Sequence, residues 1–245
     1  MTFFEELSLN AHPAIRTLFY DGWILRFSNG YTNRANSVNM IYPSTLPPEE
    51  KVRRCEEIYA ANGLPAVFKI TPVSDPALDD ILEKRGYAIV TPTDIMTMKL
   101  CNLPDDFIRS DVAEGLTKEW QNEYLTLSGL DNDGKADSVR AIQGGILNRR
   151  FCTSTGESGA KSACGMCVIE RGYVGLYDIF VKREFRQKGL GYSVCVSLLD
   201  KARSAGVKNA YIQVVAANTP AVNLYTKIGY RFLYRYHYRV QSKAK

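Results

Sequence analysis

Four residues recur in the same order and spacing 143 positions along the chain: Gly63, Lys84, Gly86 and Tyr87 return as Gly206, Lys227, Gly229 and Tyr230. The segments between them align without a gap, Leu64 meeting Val207, Phe68 meeting Tyr211 and Ile81 meeting Leu224. Each reads as a helix end, a strand, a helix, Lys-x-Gly-Tyr and a strand, so the pattern points to two copies of one fold. With 245 residues, 45% of them hydrophobic and 23% charged, the chain carries enough apolar surface for two cores. The stretch Leu103-Pro104-Asp105-Asp106 is the natural linker and divides the chain into residues 1–103 and 104–245.

In the first half, alternation over Asp21–Met40 about Ser28-Asn29-Gly30 predicts strands joined by a turn. A helix from Pro47 to Ala61 follows, stopped by Asn62-Gly63. Pro65–Ile70 reads as a strand, Asp75–Lys84 as a helix and Tyr87–Leu100 as one or two strands. The second half opens with helical patterns at Thr117–Leu127 and Ser138–Arg149, then strands at Arg150–Thr155, Lys161–Glu170 and Tyr173–Val181. A helix runs from about Gly189 to Gly206 with Val194, Leu198 and Ala202 on one face. Strand Ala210–Val215, helix Pro220–Lys227 and terminal strands complete the chain.

The net charge of +5, from 31 basic and 26 acidic residues, suits an anionic ligand but is too small to imply a nucleic-acid or membrane partner. The run Tyr230–Val240 interleaves aromatic and basic residues, yet its period of two puts the aromatics on one face and Arg231, Arg235, His237 and Arg239 on the other, as in a half-buried strand. No apolar run reaches the roughly 20 residues of a membrane span, and MTFFEELSLN lacks the basic start of a signal peptide, so the expected location is cytoplasmic. The six cysteines form no regular framework and read as reduced thiols. Cys164-Gly-Met-Cys167 matches C-x-x-C but lacks a second ligand pair, so no metal is expected.

The chemistry concentrates in Asp178–Gly191, a strand feeding a turn with two glycines that opens a helix. Such a turn presents unpaired N–H groups at the positive end of the helix dipole, where Gly189 and Gly191 let a phosphate approach the backbone. Neither G-x-x-x-x-G-K-[ST] nor G-x-G-x-x-G after a strand is present. Arg186-Gln-Lys-Gly189-Leu-Gly191 resembles the R/Q-x-x-G-x-G/A loop of the GNAT acetyltransferases. Asn218-Thr-Pro-Ala-Val-Asn-Leu-Tyr225-Thr-Lys-Ile-Gly229-Tyr230 resembles the same family's N-x-x-A-x-x-L-Y-x-K-x-G-F/Y segment, and the resemblance covers about residues 106–240.

That resemblance implies an α/β (α+β) architecture of two tandem GNAT-like domains, each a mixed, mostly antiparallel sheet flanked by helices. It implies acetyl-CoA as cosubstrate, with the main chain of Ile179, Phe180 and Val181 pairing with the pantetheine arm like an added strand. Arg186, Gln187, Lys188, Gly189, Leu190, Gly191 and Tyr192 would hold the diphosphate, and Asn218 would offer its side chain to the pantetheine while capping its helix. Tyr225 matches the family's thiolate-protonating tyrosine. Asp178, the one carboxylate inside the strand that leads to the loop, is the candidate base toward a primary amine, or a plain polar strand residue. Val174-Gly175-Leu176 stands where some members carry a glutamate, a departure that bears on any side-chain base, and Glu170 is the weaker alternative, or a solvated surface residue. In the repeat, Asp75 falls opposite Asn218 and Leu82 opposite Tyr225, while Pro43–Arg53 supplies no glycine loop, so the first half reads as a degenerate copy. Asp131, Asp133 and Asp137 would concentrate a cationic acceptor, or form a plain acidic turn. A non-catalytic acyl-CoA-binding or scaffolding protein on the same fold is the competing reading. The acceptor and the oligomeric state are not legible.

Overall fold

The computed structural model describes residues 1–131, 134–157 and 160–241. The chain forms two compact units, Met1–Thr93 together with the chain end from Tyr234, and Asp94–Leu233. The expected boundary at residues 103 and 104 thus differs from the observed division, for a packing reason. Met96, Met98, Leu100 and Leu103 are buried in the core of the second unit, whereas Tyr234, Tyr236 and Tyr238 are buried in the first.

The first unit contains α1 (Thr2–Ala11), β1 (Arg16–Tyr20), β2 (Trp23–Phe27), β3 (Val38–Met40), α2 (Pro48–Ala61), β4 (Val67–Ile70), α3 (Pro76–Lys84) and the start of β5 (Tyr87–Lys99). The hairpin turn is Asp21-Gly22, both at positive φ, rather than the expected Ser28–Gly30. A Cβ on Gly22 would lie 2.1 Å from the Pro43 carbonyl oxygen, so only glycine fits there. Ser28–Gly30 instead ends β2, its N–H groups at Ser28 and Gly30 donating to Asn36 Oδ1 at 2.7 and 3.0 Å. Trp23, Leu25, Phe27, Val38 and Phe68 pack against Val52, Tyr59, Leu78 and Leu82 of α2 and α3. On the opposite face Lys69 pairs with Glu5 of α1, both buried, and Tyr234 donates to Glu5 at 2.6 Å.

The second unit adds β6 (Val112–Glu114), α4 (Lys118–Ser128), α5 (Ala136–Gly144), β7 (Arg149–Glu157), β8 (Ala160–Glu170), β9 (Tyr173–Val181), α6 (Leu190–Ser204), β10 (Asn209–Val215), α7 (Thr219–Ile228) and the first residues of β11 (Arg231–Gln241). Its strands run in the order β5-β10-β9-β8-β7-β6. The later part of β11 pairs with β4, His237 opposite Ile70 and Val240 opposite Val67. Only β3/β4 and β9/β10 are parallel among the registered pairs of described residues, and each is joined by a helix crossover, α2 or α6. α5 stops at Gly144-Gly145, short of the expected Arg149, which opens β7 instead. Along β11 Arg239 is buried, unlike the other basic residues, because Asp79 and Glu83 of α3 take its guanidinium.

The repeat is visible in backbone detail. Gly63 and Gly206 both have positive φ, at 68° and 86°, and each donates its N–H at 2.9 Å to the residue three back, Ala60 or Arg203. The next residues, Leu64 and Val207, donate to Tyr59 and Ala202 at 3.0 and 3.1 Å. The same helix-closing turn is therefore built twice, 143 residues apart.

Candidate active site

The site lies within the second unit, where β9 and β10 separate. Their ladder runs from Asn209↔Tyr173 to Tyr211↔Gly175 and ends there, although β9 continues to Val181 and β10 to Val215. At the parting point the hydroxyls of Tyr177 and Tyr211 meet at 2.7 Å. On its other side β9 carries a β-bulge: Cys164 pairs with Phe180 and Met166 with Tyr177, so Gly165 alone faces both Asp178 and Ile179. Asp178 is the bulged residue, at φ 52°, a left-handed conformation that aspartate tolerates better than most. The bulge shifts the strand by one residue. Val174 and Leu176 face the α6 core before it, and Ile179 and Val181 face that core after it. A Cβ on Gly165 would lie 2.5 Å from Ile179 Cδ1, so a glycine opposite the bulge makes room for the displaced side chain.

A groove of about 750 Å³ opens beside this stretch. One wall is Ile179, Phe180 and Val181; another is Arg186, Gln187, Gly189, Leu190, Gly191 and Tyr192; Asn218 and Tyr225 stand on a third, from α7. The sequence-predicted residues are therefore brought together, apart from two. Lys188 is not part of the wall and holds its ammonium 5.0 Å from the Phe185 ring centre. Asp178 is not part of it either. Phe185, Pro220, Ala221, Leu224 and Lys227 complete the lining, and sequence reasoning named none of them as site residues. The i, i+3 and i+4 spacing of Ala221, Leu224 and Tyr225 on one helix was the available signal.

Local structure shapes the loop. Gln187 and Gly189 both have positive φ, 62° and 82°, which turns the chain into α6 with Gly189 as its N-cap. The Arg186 side chain folds back, its Nε donating to the Val181 carbonyl at 3.2 Å. The first turn of α6 leaves backbone N–H groups without helical partners at its positive end. Lys227 adds a cation 5.3 Å from the Tyr192 ring centre. Asn218 caps α7 by accepting from the Ala221 N–H at 3.3 Å. Tyr225 is 7% exposed and packs edge-on against Tyr230, ring centres 5.9 Å apart, so its ring is fixed while it still borders the groove.

Asp178 turns toward α5, where Gln143 Nε2 donates to its Oδ2 at 2.8 Å. Glu170 is at the far end of β8, opposite Tyr173, and accepts from Asn148 at 3.0 Å; the fold does not bring it to the bulge. Of the acidic stretch, Asp131 and Asp137 are exposed and Asp133 lies outside the described residues. All six cysteines are free thiols, and burial pushes Cys152 up to about 12. Among the described residues no group of three or more His, Cys, Asp or Glu could hold a metal ion. Among them, too, no helix is long and apolar enough to cross a membrane.

A helix-bearing mixed sheet in each of two units, with parallel strands that part beside a glycine turn in the second, defines the GNAT acetyltransferase superfamily in its tandem form. Residues 3–239 match the family model described as "Probable histone acetyltransferase Rv0428c C-terminal", and the chain belongs to that family. It is 29% identical over 246 residues to an uncharacterized N-acetyltransferase, YobR, of Bacillus subtilis strain 168, covering 97% of each chain. Among solved structures it resembles a GCN5-related N-acetyltransferase from Kribbella flavida, with TM-score 0.73 at 13% identity over 99% of this chain and 96% of that one. It also resembles a tandem GNAT protein from the clavulanic acid biosynthesis pathway, with TM-score 0.64 at 12% identity over 85% and 76% of the two chains.

Proposed function

We propose that the second unit transfers an acetyl group from acetyl-CoA to a primary amine. The observation that carries this reading is the meeting, in one groove, of the freed edge of β9, the glycine turn of α6 and the Tyr225 side chain. Residues Ile179–Val181 offer main-chain groups that β10 does not pair, suited to an extended arm bearing amides. Arg186, Gln187, Gly189, Leu190, Gly191 and Tyr192 surround the helix N-terminus with N–H groups and positive charge, suited to a diphosphate. Lys188 contributes charge from outside the wall, and Asn218 stands where it can reach the arm while capping α7.

Acetyl transfer needs an uncharged amine, stabilisation of the developing oxyanion and a proton for the departing thiolate. Tyr225 serves as the donor of that proton, because a phenol is protonated at neutral pH and this one borders the groove from a fixed ring. Asp178 accepts the amine's proton, directly or through water, from the bulge next to Ile179. The first unit serves as a degenerate, non-binding copy. Leu82, fully buried, replaces the tyrosine there, and Asp75 replaces the asparagine as helix cap.

The test incubates the full chain with acetyl-CoA and pools of primary amines, following CoA release and product mass. Acetylated product with matching CoA release is the expected result. Acetyl-CoA binding by calorimetry without turnover on any amine would favour a non-catalytic acyl-CoA-binding protein, and no binding would remove the groove from consideration.

A further inference from the structure

Gln143 is 2% exposed and Gln121 is 9% exposed, one on α5 and one on α4, and neither belongs to the groove. Gln121 Nε2 donates to Gln143 Oε1 at 3.1 Å, and Gln143 Nε2 donates in turn to Asp178 Oδ2 at 2.8 Å. A glutamine amide has an oxygen at one end and an NH₂ at the other, so the bond from Gln121 fixes which end meets the carboxylate. We propose that Gln121 and Gln143 form a positioning relay that holds the Asp178 carboxylate ionised and oriented for proton acceptance. The proposal rests on the reading of Asp178 as base.

The choice of glutamine has a chemical logic. A lysine or arginine at position 143 would pair with the carboxylate and cancel its charge, weakening its attraction for a cationic amine. A neutral amide donor stabilises the ionised form and leaves the charge in place. Near Asp178 lie Cys152 on β7 and Cys164 on β8, whose thiols burial pushes upward and so keeps neutral, and Arg150 of β7, whose cation acts on Cys152. Glu123 of α4 faces Cys164 as well, its carboxylate accepting from the Ser154 hydroxyl. Neutral thiols carry no charge to orient a carboxylate, so the directed amide hydrogen bond from Gln143 is what fixes the Asp178 side chain and favours its ionised form. The bulge adds a further constraint, since the left-handed backbone at Asp178 sets where its side chain starts.

The experiment uses the full chain with selectively 13C-labelled aspartate carboxyls, the Asp178 signal assigned by its loss in Asp178→Asn. Wild type, Gln143→Leu and Gln121→Met are titrated by NMR, and acetyl-CoA affinity and melting temperature are measured in parallel. The Asp178 midpoint should move to higher pH in Gln143→Leu, and in the same direction by less in Gln121→Met. Acetyl-CoA affinity should hold within about twofold. With an amine found in the screen, kcat/KM of Gln143→Leu should fall about tenfold on the acid side of its pH profile and recover at high pH. An unmoved carboxyl midpoint in both variants would overturn the relay, as would a rate loss equal at every pH. If Gln143→Leu does not fold, Gln121→Met alone decides by the same midpoint. Full turnover in Asp178→Asn would instead defeat the base assignment, and the NMR midpoints would still judge the relay separately.

Discussion

Tyr177 and Tyr211 join hydroxyls at 2.7 Å at the last rung before β9 and β10 part, with their rings edge to face. The pair occupies the space above Gly175, where an added Cβ would lie 2.5 Å from Tyr211 Cζ and 2.8 Å from Tyr177 Cε2. The absence of a side chain at position 175 is thus what lets two buried tyrosines close the ladder. Gly175→Ala should push them apart and lower stability by about 1–3 kcal/mol. Thermal denaturation reads this as a fall of several degrees; an unchanged melting temperature would mean that the pair relocates without cost.

The α6 turn should bind acetyl-CoA once per chain. A side chain at Gly189 must adopt a φ of 82°, and one at Gly191 would start 3.4 Å from Val181 and 3.5 Å from Leu224, both lining residues. Gly189→Val should distort the turn, and Gly191→Leu should fill the groove while tolerating the contact at Cβ. Calorimetry should show at least about a tenfold rise in Kd for each, the 1.4 kcal/mol scale of one lost good hydrogen bond or contact set. Unchanged affinity in both variants would place the ligand elsewhere, and a stoichiometry of two would restore cofactor binding to the first unit.

Tyr225→Phe should preserve packing, because the ring contact with Tyr230 needs no hydroxyl. Loss of the proton donor should lower kcat by about 100-fold or more with little change in acetyl-CoA affinity. Steady-state rates against an identified amine check this, and a fully active variant would assign the proton to water or another group.

The parts of this site that sequence made legible are those written as local chemistry. Gly189 takes a left-handed backbone at the start of α6, and Asn218 has the side chain of a cap; both are local features that a short motif records. The repeat was legible because Gly63 and Gly206 close identical helix ends. The Gln143–Asp178 bond was not, since its residues are 35 positions apart and on elements whose packing no local pattern encodes. The bulge at Asp178 was hidden for a different reason. A strand that changes phase once still reads as a strand, and only the partner register reveals the extra residue. α1 was missed because its first turns carry Phe3, Phe4 and Glu5 without a side-chain cap, and its buried Glu5 belongs to an ion pair with a residue 64 positions away.

The Asp79–Arg239 contact should make the first unit sensitive to acid. Arg239, only 5% exposed at its side chain, donates through Nε to Asp79 Oδ1 at 2.7 Å and through Nη1 to the Tyr87 carbonyl at 2.9 Å. The Arg239 hydrogen bond, partly opposed by desolvation and aided by His237, holds the Asp79 carboxyl below the usual carboxylate range. A group with a depressed folded pKa contributes stability that is present above its unfolded value, near 4, and is lost as pH falls through the folded value. Asp79 is one-third exposed, so the contribution is discounted for solvent screening to on the order of 1 kcal/mol. Asp79→Asn should therefore be less stable than wild type at pH 7, with the gap closing below about pH 4 as the wild-type carboxyl takes up its proton. Urea denaturation of both proteins at a series of pH values measures the gap; a difference that stays constant from pH 7 to pH 3 would show that the charge of Asp79, as distinct from its shape, contributes nothing.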